Sequence, residues 1–147
     1  MIADQHSIKG TFMDVIVWNE KLSVGVRQFD DEHKQLVNYI NQLNQALQVR
    51  STDKTIEDIL NGLLSYTRIH FKHEEDYMIL YDYPEQRLHK KEHDDLTAQV
   101  SDFYDRFTSG RAKFSFELMN FLCDWLINHI QGEDMKYKIF FNEKGVN

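Results

Sequence analysis

Four stretches of this chain carry apolar side chains at spacings of three and four, the period that gathers them onto one side of an α-helix. The first stripe is Leu36, Val37, Ile40, Leu43 and Leu47; the second runs from Ile56 through Ile59, Leu60, Leu63, Leu64, Thr67 and Phe71 to Met78. Leu96, Val100, Phe103 and Phe107 make the third, and Leu118, Phe121, Leu122, Trp125, Leu126 and Ile130 the fourth. Turn chemistry falls between them. Asp30 or Asp31 can cap the first helix, and Ser51-Thr52-Asp53 supplies a turn and a cap for the second. Ser109-Gly110 ends the third, and Ser115 can cap the fourth. Pro84 suits the first turn of the third helix, where its missing N–H costs nothing.

The predicted helices therefore cover about residues 30–50, 54–80, 84–108 and 115–138. Such rods, each ~30 Å long and joined by short polar loops, pack as an all-α, up-down-up-down four-helix bundle. One proline and six glycines leave few places for tight turns, which disfavours a sandwich or barrel. Val15, Ile16, Val17 and Trp18 show no helical period. About residues 1–25 thus read as an extended N-terminal arm on a single domain spanning residues 1–147.

Charge narrows the partners. A net charge of -7 without a Lys/Arg-rich run offers no footprint for nucleic acid or anionic lipid. No apolar run is long enough to cross a membrane, and the N-terminus lacks a basic segment followed by an apolar one, so the expected compartment is the cytoplasm. A single cysteine, Cys123, excludes a disulfide framework and a cysteine-built zinc finger, and reads as a small hydrophobe. Seven histidines stand beside it, so any metal must be held by nitrogen and oxygen.

Those histidines fall on the stripes. His33 shares a face with Leu36, Val37 and Ile40; His70 and Glu74, four apart, are in register with Leu63 and Thr67. His89 and His93 repeat that spacing in line with Leu96 and Val100. His129 follows Leu122 and Trp125, with Glu133 and Asp134 one turn further. Depth gives an independent test, because antiparallel neighbours share a level only when they are equidistant from the connecting turn. Midway between His33 and His70 lies Ser51-Thr52; midway between Glu74 and His89 lies Tyr81-Asp82; midway between His93 and His129 lies Arg111, beside Ser109-Gly110. All three midpoints coincide with predicted turns, which stacks five histidines and at least two carboxylates in one layer.

Any one of these imidazoles alone reads as a partly buried residue bonded to a neighbour. Five together, without a metal, would leave polar groups unsatisfied in a core. Seven donors are too many for one tetrahedral zinc, but they suit two octahedral-leaning ions bridged by carboxylates, and imidazole with carboxylate matches iron. His73 is turned about 100° from Glu74, toward an outer shell or solvent. Glu75 points away from the layer, and His6 in the arm reads as surface. Between Glu133 and Asp134 spacing does not choose: the first is nearer the face of His129, and the second is about 140° from it.

Taken together, His33, His70-x-x-x-Glu74, His89-x-x-x-His93 and His129-x-x-x-x-Asp134 resemble the complete ligand signature of the hemerythrin family. Trp18-Asn19-Glu20, Ser23-Val24-Gly25-Val26, Asp30-Asp31-Glu32-His33, His70-Phe71 followed by Glu74-Glu75, and Trp125-Leu126 before His129-Ile130 resemble its bacterial members in particular. The likeness covers about residues 15–140. It implies two non-haem iron ions, one on His33 and His70, the other on His89, His93 and His129. Glu74 and Asp134 would bridge them beside a water-derived oxo or hydroxo group. The resemblance selects Asp134 over Glu133, and it implies an open position on the two-histidine iron, where dioxygen binds. Phe71, Trp125, Leu126 and Ile130 would form the oxygen pocket, while serving equally as ordinary core.

The function so implied is reversible dioxygen binding for storage, delivery or buffering, by a monomer that is not an enzyme. Two other readings compete. A di-iron oxidase or peroxidase usually carries Glu-x-x-His pairs, and none occurs here. An oxygen or redox sensor would act through a separate partner, because the sequence shows no output module.

Overall fold

The computed structural model describes residues 14–147, so His6 and the first half of the predicted arm lie outside the described residues. Four helical rods follow one another. They are α1 (Arg27–Gln48), α2 (Asp53–Leu80), α3 (Gln86–Thr108), and a fourth rod made of α4 (Phe116–Asn128), a π turn (His129–Asp134) and α5 (Met135–Glu143). Among the described residues there is no strand, and no helix is long and apolar enough to cross a membrane.

The stripes become the core as the period requires. Leu36, Val37, Ile40 and Leu43 of α1 are buried, as are Leu60, Leu63 and Leu64 of α2, Val100, Phe103 and Phe107 of α3, and Leu122, Trp125 and Leu126 of α4. Five stripe members deviate: Leu47, Ile59, Leu96 and Leu118 are only half-buried, and Phe121 is exposed on the outer flank of α4. Gly62 lets α2 approach α1, since a Cβ there would stand 2.7 Å from the Tyr39 ring.

Two predicted caps act as expected. Thr52 accepts the Thr55 N–H at 3.2 Å, and Ser115 accepts that of Leu118 at 3.3 Å. Asp30 does not cap α1. The helix begins earlier, after Val26, whose side chain caps nothing. Asp30 instead reaches back over the incoming loop, accepting the Ser23 hydroxyl at 2.6 Å and the Val24 N–H at 2.8 Å. Gly25, at φ 71°, makes the bend that permits this. Pro84 lies in the α2–α3 turn rather than in the first turn of α3, which starts at Gln86. The fourth rod runs past the predicted end near residue 138, because Tyr137 and Phe141 are fully buried and pack on Phe29 with ring centroids 5.6 and 6.0 Å away.

Residues 14–18 lie along α1 without helical structure. The Asn41 side chain holds them there, accepting the Val15 and Ile16 N–H groups at 3.0 Å and donating to the Ile16 carbonyl at 2.9 Å. A 3-10 turn, Glu20–Leu22, then leads into α1, with Leu22, Val24 and Val26 buried.

Candidate metal centre

Seven side chains from all four rods converge at one level of the bundle: His33 from α1, His70 and Glu74 from α2, His89 and His93 from α3, and His129 and Asp134 from the fourth rod. None is more than 4% exposed. Their inward atoms form two overlapping sets, each within 4.8 Å: Glu74, His89, His93, His129 and Asp134 in one, and His33, His70, Glu74 and Asp134 in the other.

The two carboxylates are split between the sets oxygen by oxygen. Glu74 Oε1 lies 3.1 Å from His93 Nε2 and 3.6 Å from His89 Nε2, whereas its Oε2 lies 3.2 Å from His70 Nε2 and 3.4 Å from His33 Nε2. Asp134 repeats the division. Its Oδ1 is 3.0 Å from His89 Nε2 and 3.1 Å from His129 Nε2, and its Oδ2 is 3.0 Å from His33 Nε2. Each carboxylate therefore spans from one histidine group to the other, as a bridge between two ions must.

A metal fits this arrangement. His33 Nε2, His70 Nε2, His89 Nε2, Glu74 Oε1 and both Asp134 carboxylate oxygens are buried without a hydrogen-bond partner. Without a metal these groups can pair only if inward Nε2 atoms take up extra protons to donate to the facing carboxylate oxygens, and each one left unpaired costs ~1–3 kcal/mol. Cations that accept these lone pairs remove the penalty. Imidazole and carboxylate donors without sulfur suit iron and its first-row neighbours, and Cys123 stands outside both sets.

The outer faces of the imidazoles are held by a second ring of carboxylates that spacing alone does not reveal. His70 Nδ1 lies 2.6 Å from Glu32 Oε1, His93 Nδ1 2.7 Å from Glu75 Oε2, and His129 Nδ1 2.9 Å from Glu92 Oε1. A carboxylate only accepts, so each Nδ1 carries the proton and each Nε2 turns its lone pair inward, the arrangement typical of metal-bound histidine. The pattern is directional. A glutamate of α1 holds a histidine of α2, one of α2 holds a histidine of α3, and one of α3 holds the histidine that opens the π turn of the fourth rod. Each glutamate adjoins a ligand-type residue of its own helix, so it sits about 100° round from the inward stripe and faces the neighbouring rod. Glu75 thus does not point away from the site. His73, half-exposed, shares Glu32 with His70 through a 2.6 Å contact to Oε2, in the outer shell its offset suggested. The fully buried Tyr137 donates its hydroxyl proton to Glu74 Oε2.

The π turn brings Asp134, and not Glu133, in among the histidines. Its hydrogen bonds skip one more residue than an α-helix, as in Met135 N–H to the Ile130 carbonyl, and the extra residue rotates Asp134 back onto the face of His129. Glu133 is left half-buried at the surface beside Lys136.

Electrostatics follow from the packing. Burial works to lower His70 and His89, but Glu74 beside the first and Asp134 beside the second raise both to about 9. Burial works to raise Glu74, yet His70 and the other imidazoles hold it well below the usual carboxylate range; His129 and His33 do the same for Asp134 against both burial and Glu74.

Beside the two-histidine set lies a small apolar cavity, lined by His33, Leu36, His70, Phe71, Trp125, Leu126 and His129, and too tight in this packing to seat a water molecule. Phe71, Trp125 and Leu126 were expected there. Ile130 is fully buried but does not line it. Leu36, one turn after His33 on the same stripe, was legible from spacing and takes part instead.

These features recur in known proteins. Residues 24–139 match the family model of the hemerythrin HHE cation binding domain. A bacteriohemerythrin of Pseudomonas aeruginosa is 35% identical over 122 residues, covering 83% of this chain and 78% of the relative. One from Methylococcus capsulatus is 31% identical over 126 residues, covering 85% and 95%. A crystal structure of wild-type hemerythrin superposes with a TM-score of 0.79 at 30% identity, over 85% of this chain and 96% of that one. A bundle that brings five imidazoles and two shared carboxylates to one level, on a sequence matched over that whole length, belongs to the hemerythrin family.

Proposed function

We propose that this chain holds two iron ions and binds dioxygen reversibly, as a carrier or buffer rather than as an enzyme. In this reading His33 and His70 hold one ion, His89, His93 and His129 hold the other, and Glu74 and Asp134 bridge them. A ferrous pair in such a site supplies two electrons to dioxygen and takes them back on release.

The observation that carries the reading is the position of the apolar cavity. It is lined by both imidazoles of the four-donor set, His33 and His70, and by only one of the five-donor set, His129, so it lies chiefly against the ion with fewer protein donors. Phe71, Leu36 and Leu126 give an incoming ligand an apolar wall to which water cannot hydrogen-bond, whereas apolar dioxygen loses nothing by entering; Trp125 adds an apolar ring together with a buried, unpartnered indole N–H. Several of the protein's own protons near the centre are committed elsewhere. The Nδ1 protons of His70, His93 and His129 are turned outward onto Glu32, Glu75 and Glu92, and the Tyr137 hydroxyl is committed to Glu74. A site that restricts water and commits most nearby protons elsewhere favours release of dioxygen over its reduction.

The test is iron loading without oxygen, metal analysis, and absorption spectra under argon, then air, then argon again. Two irons per chain and a spectrum that returns to its starting form are expected. One equivalent of zinc as the native metal, or an iron spectrum that never reverses, would overturn the proposal.

A further inference from the structure

The glutamate ring that holds the imidazoles is incomplete: His33 and His89, one in each set, have no carboxylate on Nδ1, and of the two only His33 Nδ1 is fully buried without a partner. Two of the three histidines in the five-donor set are clamped, His93 by Glu75 and His129 by Glu92. Phe71 further fixes His93 by lying flat on it, 3.7 Å away at an interplanar angle of 3°. In the four-donor set only His70 is clamped, by Glu32. His33 Nδ1 is buried with no partner, and the fourth rod's Asp134 meets this imidazole on its inward Nε2 instead.

We propose that the two halves fill in a fixed order: the three-histidine half takes the first metal ion tightly, and the two-histidine half takes the second more weakly. Glu75 and Glu92 are positioning residues for the first step, and Glu32 for the second. The inference rests on the metal-centre reading above and adds an order to it.

Three physical differences point the same way. The first half offers one more protein donor. Its clamped imidazoles have already lost their rotational freedom, so less ordering accompanies binding. A metal also makes the outer N–H of an imidazole more acidic and in need of an acceptor, and His33 has none. Once an ion sits among Glu74 Oε1, Asp134 Oδ1 and the three histidines, it opposes a second cation a few ångströms away. The same ion leaves Glu74 Oε2 and Asp134 Oδ2 aimed at His33 and His70, so the second site is completed but remains weaker.

The experiment is titration of the metal-free protein with Co(II), followed by calorimetry and by native mass spectrometry at one equivalent. One-metal chains should predominate at that point, and the isotherm should resolve two steps at least ~10-fold apart. Removing an outer carboxylate typically weakens a site by ~10–100-fold. Glu92→Gln should therefore weaken the first step by about that factor, and Glu32→Gln should weaken the second while leaving the first within ~2-fold. His33→Ala, checked for helical content, should keep the first step and lose the second; Glu32→Gln makes the same distinction if that variant fails to fold. A mixture of metal-free and two-metal chains at one equivalent, or a first step weakened by Glu32→Gln as much as by Glu92→Gln, would overturn the order. Failure of the unmodified chain to bind cobalt at all would overturn the metal centre itself, a result distinct from either.

Discussion

Removing one residue from the π turn tests the link between helix register and the site. At about 100° per residue an unbroken α-helix would place Asp134, Tyr137 and Phe141 roughly 140°, 80° and 120° from His129. The extra residue of the π turn subtracts one step, leaving them at about 40°, 20° and 20°, on one face. Without it, a carboxylate ~5 Å from the helix axis would move by ~8 Å, which no side-chain rotation recovers when Asp134 Oδ2 must stand 3.0 Å from His33. Deleting Gly132, exposed and with no atom within 4 Å of where a Cβ would project, converts the turn to α-helix while keeping that register. His129 and the aspartate then stand four apart, the spacing at which His70 and Glu74 already meet. The deletion variant should bind two metal ions per chain. It should melt within a few degrees of the parent, the lost glycine flexibility contributing roughly 0.5–1 kcal/mol. An alanine inserted after Gly132 adds a further ~100°; it should abolish metal binding and strip Tyr137 and Phe141 from the core. Plasma emission metal analysis and thermal circular dichroism report both quantities. A deletion variant that folds but holds no metal, or an insertion variant that keeps both ions, would refute the argument that register is what the π turn provides.

Leu126→Ala removes a buried wall of the apolar cavity; it should destabilise by ~3 kcal/mol and, by admitting water, speed oxidation of the oxygenated protein, and an unchanged oxidation rate would remove the exclusion role. His70 and His89, held at about 9 against the ordinary 6.5, are protonated at pH 7 in the metal-free protein. Their contribution to metal-free stability is therefore full below about 6.5 and lost as pH rises through about 9. Loading at pH 7 should accordingly release at least ~2 protons per chain, measured by calorimetry in buffers of different ionisation enthalpy. A count near zero would contradict the charge state drawn here. Gly62→Ala sets a Cβ 2.7 Å from the Tyr39 ring and should cost ~1–3 kcal/mol in urea unfolding, whereas Gly132→Ala, in open space, should gain ~0.5–1 kcal/mol; equal effects would argue against the close α1–α2 approach.

The sequence by itself determined the number of rods, the stripes that face inward, and the level at which the imidazoles meet. Those follow from one local quantity, the 100° step of an α-helix, applied to turns marked by Ser51-Thr52, Pro84 and Ser109-Gly110. It could not place Asp134 by that step, because the π turn breaks the period where that residue lies. Only resemblance supplied that residue in advance. Nor could periodicity reveal Glu32, Glu75 and Glu92 as partners of His70, His93 and His129. They sit off the inward stripe and act on the next helix, so their role exists only when two rods are set side by side. The same holds for the real start of α1, fixed by Asp30 reaching back to Ser23 and Val24, and for the end of the fourth rod, fixed by Tyr137 and Phe141 against Phe29. Local spacing decides which way a side chain points. What it meets there is decided by packing, and so is whether an imidazole stands ready for a metal or lacks a partner.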